Sequence, residues 1–207
     1  MEITNKYISE LIDDLYNTIG LRKPIAYKPL IAMLKKQKTS DVVNMVKDYF
    51  NLPVKLEIEY TTNFQTKSLA LEHSYFVEEI SAQVLIPPFI PMYGTDELAN
   101  TVINIKISPY CWKHPYLFLV ILSHELSHIL MYSLNYHRKE NEIATDLTAI
   151  MLGFVDLYKI AFKKTYKQGY LSYKQFVFAH KKVNALIKDR SRKRYFLLSI
   201  VRKINTF

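Results

Sequence analysis

Apolar residues recur at helical spacing from the start of the chain. Ile8, Leu11, Ile12, Leu15 and Ile19 share one stripe, which predicts an amphipathic helix over residues 4–19. A second helix is expected to begin near Pro29, and a third after Thr39-Ser40-Asp41, closing at Asn51 and Pro53. Then the period shortens to two. "VKLEIEY" sets Leu56, Ile58 and Tyr60 against Lys55, Glu57 and Glu59, and "TVINIKIS" sets Ile103, Ile105 and Ile107 against Asn104, Lys106 and Ser108. Both patterns predict half-buried strands. Residues 76–86 offer a further strand ahead of the Pro-rich loop "PPFIPMYG". From Pro115 the helical period returns, with one helix to about Leu134, a polar turn "NYHRKE", and a second helix over about 140–163. After a loop ending at Gly169, "SYKQ" at 172–175 is a capping-box start for a helix to about 188.

Helices, a small sheet and more helices predict an α+β fold. The expectation is one mostly helical domain over 1–207, with a sheet of about three strands packed beside the helix that starts at Pro115. Its parts are N-terminal helices at 1–52, the sheet at 53–110, a helical hairpin at 115–163 and basic helices at 172–207. Composition agrees with a packed globule: 49% hydrophobic, 14% aromatic and four glycines among 207 residues exclude a disordered chain. The longest uninterrupted apolar run, "YLFLVIL" at 116–122, is far short of the roughly 20 residues that span a bilayer, so no transmembrane segment is expected. The N-terminus carries acidic residues where a secretory signal would be positive, and the single cysteine, Cys111, has no partner for an internal disulfide. These features predict a cytoplasmic protein.

Charge is concentrated at one end. Of the net +9, residues 181–207 contribute +8, with nine Lys/Arg and one Asp. That basic C-terminal tail could meet an acidic partner, anionic lipid or nucleic acid, or it is the wet face of a helix whose Val183, Leu186, Ile187, Leu197, Leu198 and Val201 pack inward.

The stretch "SHELSH" at 123–128 stands inside "YLFLVILSHELSHILMYSL", where nearly every neighbour favours burial. Residues four apart on a helix are separated by about 400° and about 6 Å of rise, so His124 and His128 share a face and can grip one metal ion. Glu125 lies about 100° around the helix, where a base acting on metal-activated water would stand. Left without partners in an apolar helix, these three polar side chains would cost several kcal/mol. The following helix, "KENEIATDLTAIMLGF", can supply carboxylates. Glu142 and Asp146 are four apart on one face, and Ala149 and Gly153 continue that stripe as small residues that let two helices approach closely. Two histidines and Glu142 leave a fourth tetrahedral position open, as in catalytic zinc sites, with Glu140 as the competing third ligand. Asp146, one turn deeper, is suited to receive the other ring N–H of His124.

"HELSH" at 124–128 followed by "NEIATD" at 141–146 resembles the thermolysin-type signature of the gluzincin metallopeptidases. The resemblance implies zinc held by His124, His128 and Glu142, Glu125 as general base and proton shuttle, and Asp146 behind a ligand histidine. The wider order of strand, first motif helix and second motif helix is similar to small bacterial zincin-like domains. Only 13 residues separate His128 from Glu142, fewer than in thermolysin, and the chain has no room for most of that enzyme's flanking architecture. The implied activity is hydrolysis of a peptide or protein substrate, with "TVINIKIS" holding an extended peptide by edge pairing. Tyr170, Tyr173, His180 and His137 are the candidates for a donor to the oxyanion. The alternative expectation is a catalytically silent zincin-fold binding or regulatory domain that acts through a protein or nucleic-acid partner.

Overall fold

Thr4 opens the first helix, α1 (Asn5–Ile19), by accepting the Tyr7 N–H at 3.2 Å, and Gly20, at φ 71°, closes it. Its predicted stripe is the buried face, with Ile8, Leu11, Ile12 and Leu15 wholly inaccessible. The structure is a computed structural model that describes residues 3–61, 82–163 and 170–204, with side chains except those of Trp112 and of residues from 190 onward. Helices α2 (Tyr27–Lys35) and α3 (Thr39–Tyr49) follow, then strands β1 (Lys55–Tyr60) and β2 (Ala82–Leu85). Next come helix α4 (Asp96–Asn100), strand β3 (Val102–Ile107), helix α5 (Pro109–Trp112) and the long helix α6 (Pro115–Ser133). Helix α7 (Glu142–Ala149), a π-helical turn (Ile150–Phe154), α8 (Val155–Lys163) and α9 (Tyr173–Ile204) complete the order.

Among the described residues the architecture is α+β, mostly helical with one three-stranded mixed sheet. The expected strand over 76–86 is described only from Ala82 onward, and Gly169 lies outside the described residues. Helices α4 and α5 are too short to carry a period. Each is opened instead by a capping hydroxyl, Thr95 Oγ1 accepting the Leu98 N–H and Ser108 Oγ accepting the Tyr110 N–H. The capping box at the start of α9 forms as expected: the Ser172 N–H donates to Gln175 Oε1 at 2.7 Å, and the Gln175 N–H donates to Ser172 Oγ at 3.3 Å. The helix passes the predicted end near 188, since neither Gly nor Pro interrupts it before Ile204. Val183 is buried, and Leu186 and Ile187 pack on the core. The side chains of Leu197, Leu198 and Val201 lie outside the described residues.

The strand order is β1-β3-β2, with β1 parallel and β2 antiparallel to β3. Ile103, Ile105 and Ile107 form the buried face of β3, as their alternation predicts. Edge pairing of a peptide on "TVINIKIS" is excluded, because β3 is central and both its sides are taken. Alternation identifies a strand and its inner face, but not its place in the sheet.

Helix α6 runs through the middle of the molecule and packs against α2, α3, α5, α7, α8 and β2. Among the described residues it is the one helix long and apolar enough to cross a membrane, yet 78% of that stretch is buried inside the fold. Its buried serines are satisfied along the helix itself. Ser123, Ser127 and Ser133 donate to the carbonyls of Val120, Ser123 and Leu130 at 2.7, 2.8 and 2.9 Å.

The second long helix expected over 140–163 is interrupted. Within the π-helical turn Gly153 adopts φ 102°, outside helical space, and the chain bends there. Carbonyls freed by the bend accept from the segment after α1: the Arg22 N–H donates to Met151 O at 3.0 Å and the Ile25 N–H to Gly153 O at 2.9 Å. The small residue at 153 therefore serves the bend and not a helix–helix stripe. A Cβ on Gly153 would stand 2.4 Å from the Lys23 carbonyl oxygen, which also accepts the Tyr49 hydroxyl at 2.6 Å.

Gly153→Ala is thus expected to destabilise the fold by about 2 kcal/mol or more, from the positive φ together with the clash. In a thermal melt that corresponds to a fall in Tm of roughly 5 °C for a chain of this size. An unchanged Tm would contradict this account of the bend.

Candidate metal centre

Two caps bring the motif helices face to face. Helix α6 ends in a Schellman motif: Asn135 takes φ 47°, the Asn135 N–H donates to Tyr132 O at 3.0 Å, and the Tyr136 N–H donates to Met131 O at 2.9 Å. Asparagine tolerates this left-handed conformation, so "NYHRKE" turns the chain back tightly. At the other side Asn141 caps α7, its Oδ1 accepting the N–H groups of Ile143 and Ala144 at 3.0 Å each. Glu142 is then the first residue of α7, where the helix dipole favours a carboxylate.

The hairpin places Glu142 Oε2 3.2 Å from His124 Nε2 and 3.1 Å from His128 Nε2. One ligand atom from each of the three residues lies within 4.8 Å of the others, so His124, His128 and Glu142 form a group that could hold a metal ion. A tetrahedral ion with bonds of roughly 2.1 Å sets its ligand atoms roughly 3.4 Å apart, and the carboxylate–imidazole spacings here are close to that. Glu140 is settled otherwise. Its carboxylate accepts the hydroxyl of Tyr132, and Lys139 stands over that ring, 5.3 Å from its centroid.

Partners behind the imidazoles fix which nitrogen faces inward. His124 Nδ1 lies 2.9 Å from Asp146 Oδ1; because a carboxylate only accepts, the ring carries its proton there and turns Nε2 toward Glu142. Asp146 is fully buried and receives two further donors, the Tyr158 hydroxyl at 3.2 Å and the Tyr170 N–H at 2.6 Å. His128 Nδ1 lies 3.4 Å from Thr145 Oγ1, whose own hydroxyl donates to Asn141 O at 3.2 Å. Glu125, also buried, accepts the backbone N–H of Val84 on β2 at 2.9 Å. Val84 is therefore a position of β2 whose backbone points away from β3, toward α6.

Of the four candidate oxyanion donors, Tyr170 stands beside the cluster, its ring stacked on that of His124 at 6.0 Å and 21°. The other three have their contacts elsewhere. Tyr173 meets Phe162 edge-on, His180 stacks on Phe176, and His137 pairs with Asp14 at 3.4 Å. Burial and the nearby Lys159 pull the His180 pKa below its ordinary value. Sequence reasoning missed Thr145, Tyr158 and the Val84 N–H. Only Thr145 had a signal, three residues from Glu142 on the same helix face. Tyr158 lies beyond a bend that periodicity does not show, and a backbone donor leaves no mark in the sequence.

Charge at the centre is tightly coupled. Burial opposes a charged His124, but its hydrogen bonds to Asp146 and Glu142 prevail and raise its pKa to about 10. Burial likewise opposes ionisation of Glu142, yet both histidines hold its carboxyl well below the usual range. A proton and a metal ion therefore compete for the same cage.

His124→Ala and Glu142→Ala are each expected to abolish stoichiometric metal, while Glu140→Ala retains it, as read by elemental analysis of the purified proteins. Metal retained at wild-type level in all three would remove the basis for this centre. The proton competition has a definite sign. Because the His124 pKa is raised, the metal-free protein holds that proton through neutral pH, whereas Glu142 is already ionised. Metal uptake at pH 7 should release about one proton, and the apparent affinity should rise with pH toward 10. Calorimetry in buffers of different ionisation heat measures the release; heats independent of the buffer would contradict it.

No family model, curated protein or solved structure matches this chain, which leaves the geometry of the site to carry its function.

Proposed function

We propose that this chain is a zinc-dependent metallopeptidase of gluzincin type, hydrolysing peptide bonds with Glu125 as general base. The observation that carries the reading is the convergence of two imidazole nitrogens and the Glu142 carboxylate, with a buried Glu125 whose charge acts on His124 and whose carboxylate is tied to the backbone of β2. His124, His128 and Glu142 would hold the ion, and two imidazoles with one carboxylate suit zinc. A bound zinc supplies Lewis acidity, polarising a carbonyl and making water acidic near neutral pH.

The remaining work falls to the chain's own groups. The Val84 N–H holds one carboxylate oxygen of Glu125, Oε2, and leaves Oε1 to take a proton from the attacking water. The same carboxyl group then returns that proton to the departing amine as the C–N bond breaks. Asp146 keeps the His124 ring in one tautomer while these protons move. In an antiparallel pair the N–H and C=O of one residue face the same side, so the Val84 carbonyl points outward with its N–H. That carbonyl is an acceptor for an N–H of an extended peptide laid along β2, which takes over the edge-pairing role expected of β3. The Tyr170 hydroxyl is the candidate donor to the oxyanion, since its ring lies against His124.

The test is Glu125→Gln. The variant should retain metal at the wild-type level while cleavage of a mixed peptide library, followed by mass spectrometry, falls about 10³-fold. Cleavage undiminished in the variant would remove Glu125 from the chemistry. A zinc-loaded wild-type protein that cleaves nothing would favour a silent binding domain.

A further inference from the structure

The N-terminal helix packs against α7, and one of its side chains bonds the residue that caps α7 next to Glu142. The Tyr7 hydroxyl on α1 accepts the Nδ2–H of Asn141 at 2.6 Å, a contact between residues 134 apart in sequence. Asn141 is a junction for both motif helices. Its Oδ1 caps α7 directly at Glu142, and its backbone carbonyl takes the Thr145 hydroxyl that stands behind His128.

An asparagine amide has one accepting end and one donating end, so its partners decide which way it faces. Turned over, it would aim an N–H at the N–H groups of Ile143 and Ala144 and uncap the helix that begins with Glu142. Serine, threonine or aspartate caps a helix comparably, but only asparagine adds a donor on the far side. Tyr7 receives that donor.

We propose that Tyr7 is a positioning residue of the metal centre: by fixing the Asn141 amide it sets the Glu142 carboxylate against the two histidines, which makes α1 part of the metal site. The inference rests on the reading of His124, His128 and Glu142 as metal ligands. A built-in control separates positioning from general support. The Tyr136 hydroxyl donates to Asp14 Oδ2, also at 2.6 Å, and so joins α1 to the same turn through a partner other than Asn141.

The experiment uses the full chain, stripped of metal by dialysis against chelator and titrated with Co²⁺ and with Zn²⁺ in competition with a chromophoric chelator. Tyr7→Phe should raise Kd about 10-fold and alter the visible Co²⁺ spectrum. Tyr136→Phe should lower Tm and leave both unchanged. In an Asn141→Ser background, which keeps a capping oxygen but lacks the amide N–H that reaches Tyr7, Tyr7→Phe should add nothing. Equal losses of affinity in Tyr7→Phe and Tyr136→Phe overturn the proposal, as does an undiminished effect of Tyr7→Phe in the Asn141→Ser background. If Tyr7→Phe fails to fold by circular dichroism, Asn141→Ser against Tyr136→Phe makes the same comparison, the first weakening metal binding and the second not. A wild-type chain that takes up neither ion removes the metal reading itself, and the proposal with it. Uptake by wild type with no change in Tyr7→Phe overturns the proposal alone.

Discussion

Asp146 is a carboxylate with side-chain exposure of 1%, and burying a charge that deeply is costly unless donors surround it. Its donors come from three separate stretches of chain: the His124 ring on α6, the Tyr158 hydroxyl on α8, and the Tyr170 N–H just before α9. Each of them has to arrive for the charge to be tolerated. Because an ionised carboxylate offers no proton, it also dictates the tautomer of His124 and so the direction in which the other ring nitrogen points. The orientation of the His124 Nε2 that faces Glu142 is therefore a consequence of how one buried acid is satisfied.

That requirement explains the bend in the second motif helix. On an uninterrupted α-helix, a residue 12 positions beyond Asp146 would lie about 18 Å along the axis, well beyond the reach of a tyrosine side chain. The π-helical turn and the non-helical Gly153 turn the chain so that the Tyr158 hydroxyl comes within 3.2 Å of Asp146. The bend in turn frees the Met151 and Gly153 carbonyls, which the segment after α1 satisfies. The positive φ of one glycine, a buried hydrogen bond on the acid, and the docking of the N-terminal segment are thus parts of one arrangement.

Helix α6 has two duties that would conflict on an ordinary amphipathic helix. It is the core of the molecule, buried nearly all round, and it carries the polar groups of the site. The conflict is resolved residue by residue: its serines bond back along the helix, its histidines face acids on α7, and Glu125 takes a backbone donor from β2. The apolar surroundings lower the local dielectric, which strengthens these charge-assisted contacts and rigidifies their geometry.

Much of this was legible in the chain. The stripe of α1, the alternation of β1 and β3, the capping box of α9 and the spacing of His124, His128, Glu142 and Asp146 are local patterns, and local patterns follow from the 3.6- and 2-residue periods of the backbone. The short helices α4 and α5 escaped because one turn is too little to show a period. The central place of β3, the pinning of Glu125 by the Val84 N–H, the bend at Gly153 and the bond from Tyr7 to Asn141 are of another kind. They join residues far apart in sequence, often through backbone atoms that every residue shares. The sequence by itself determined which side chains could form the cage, because helical spacing puts them on one face. Only the tertiary structure decided how they are aimed, because aim depends on partners that other segments deliver.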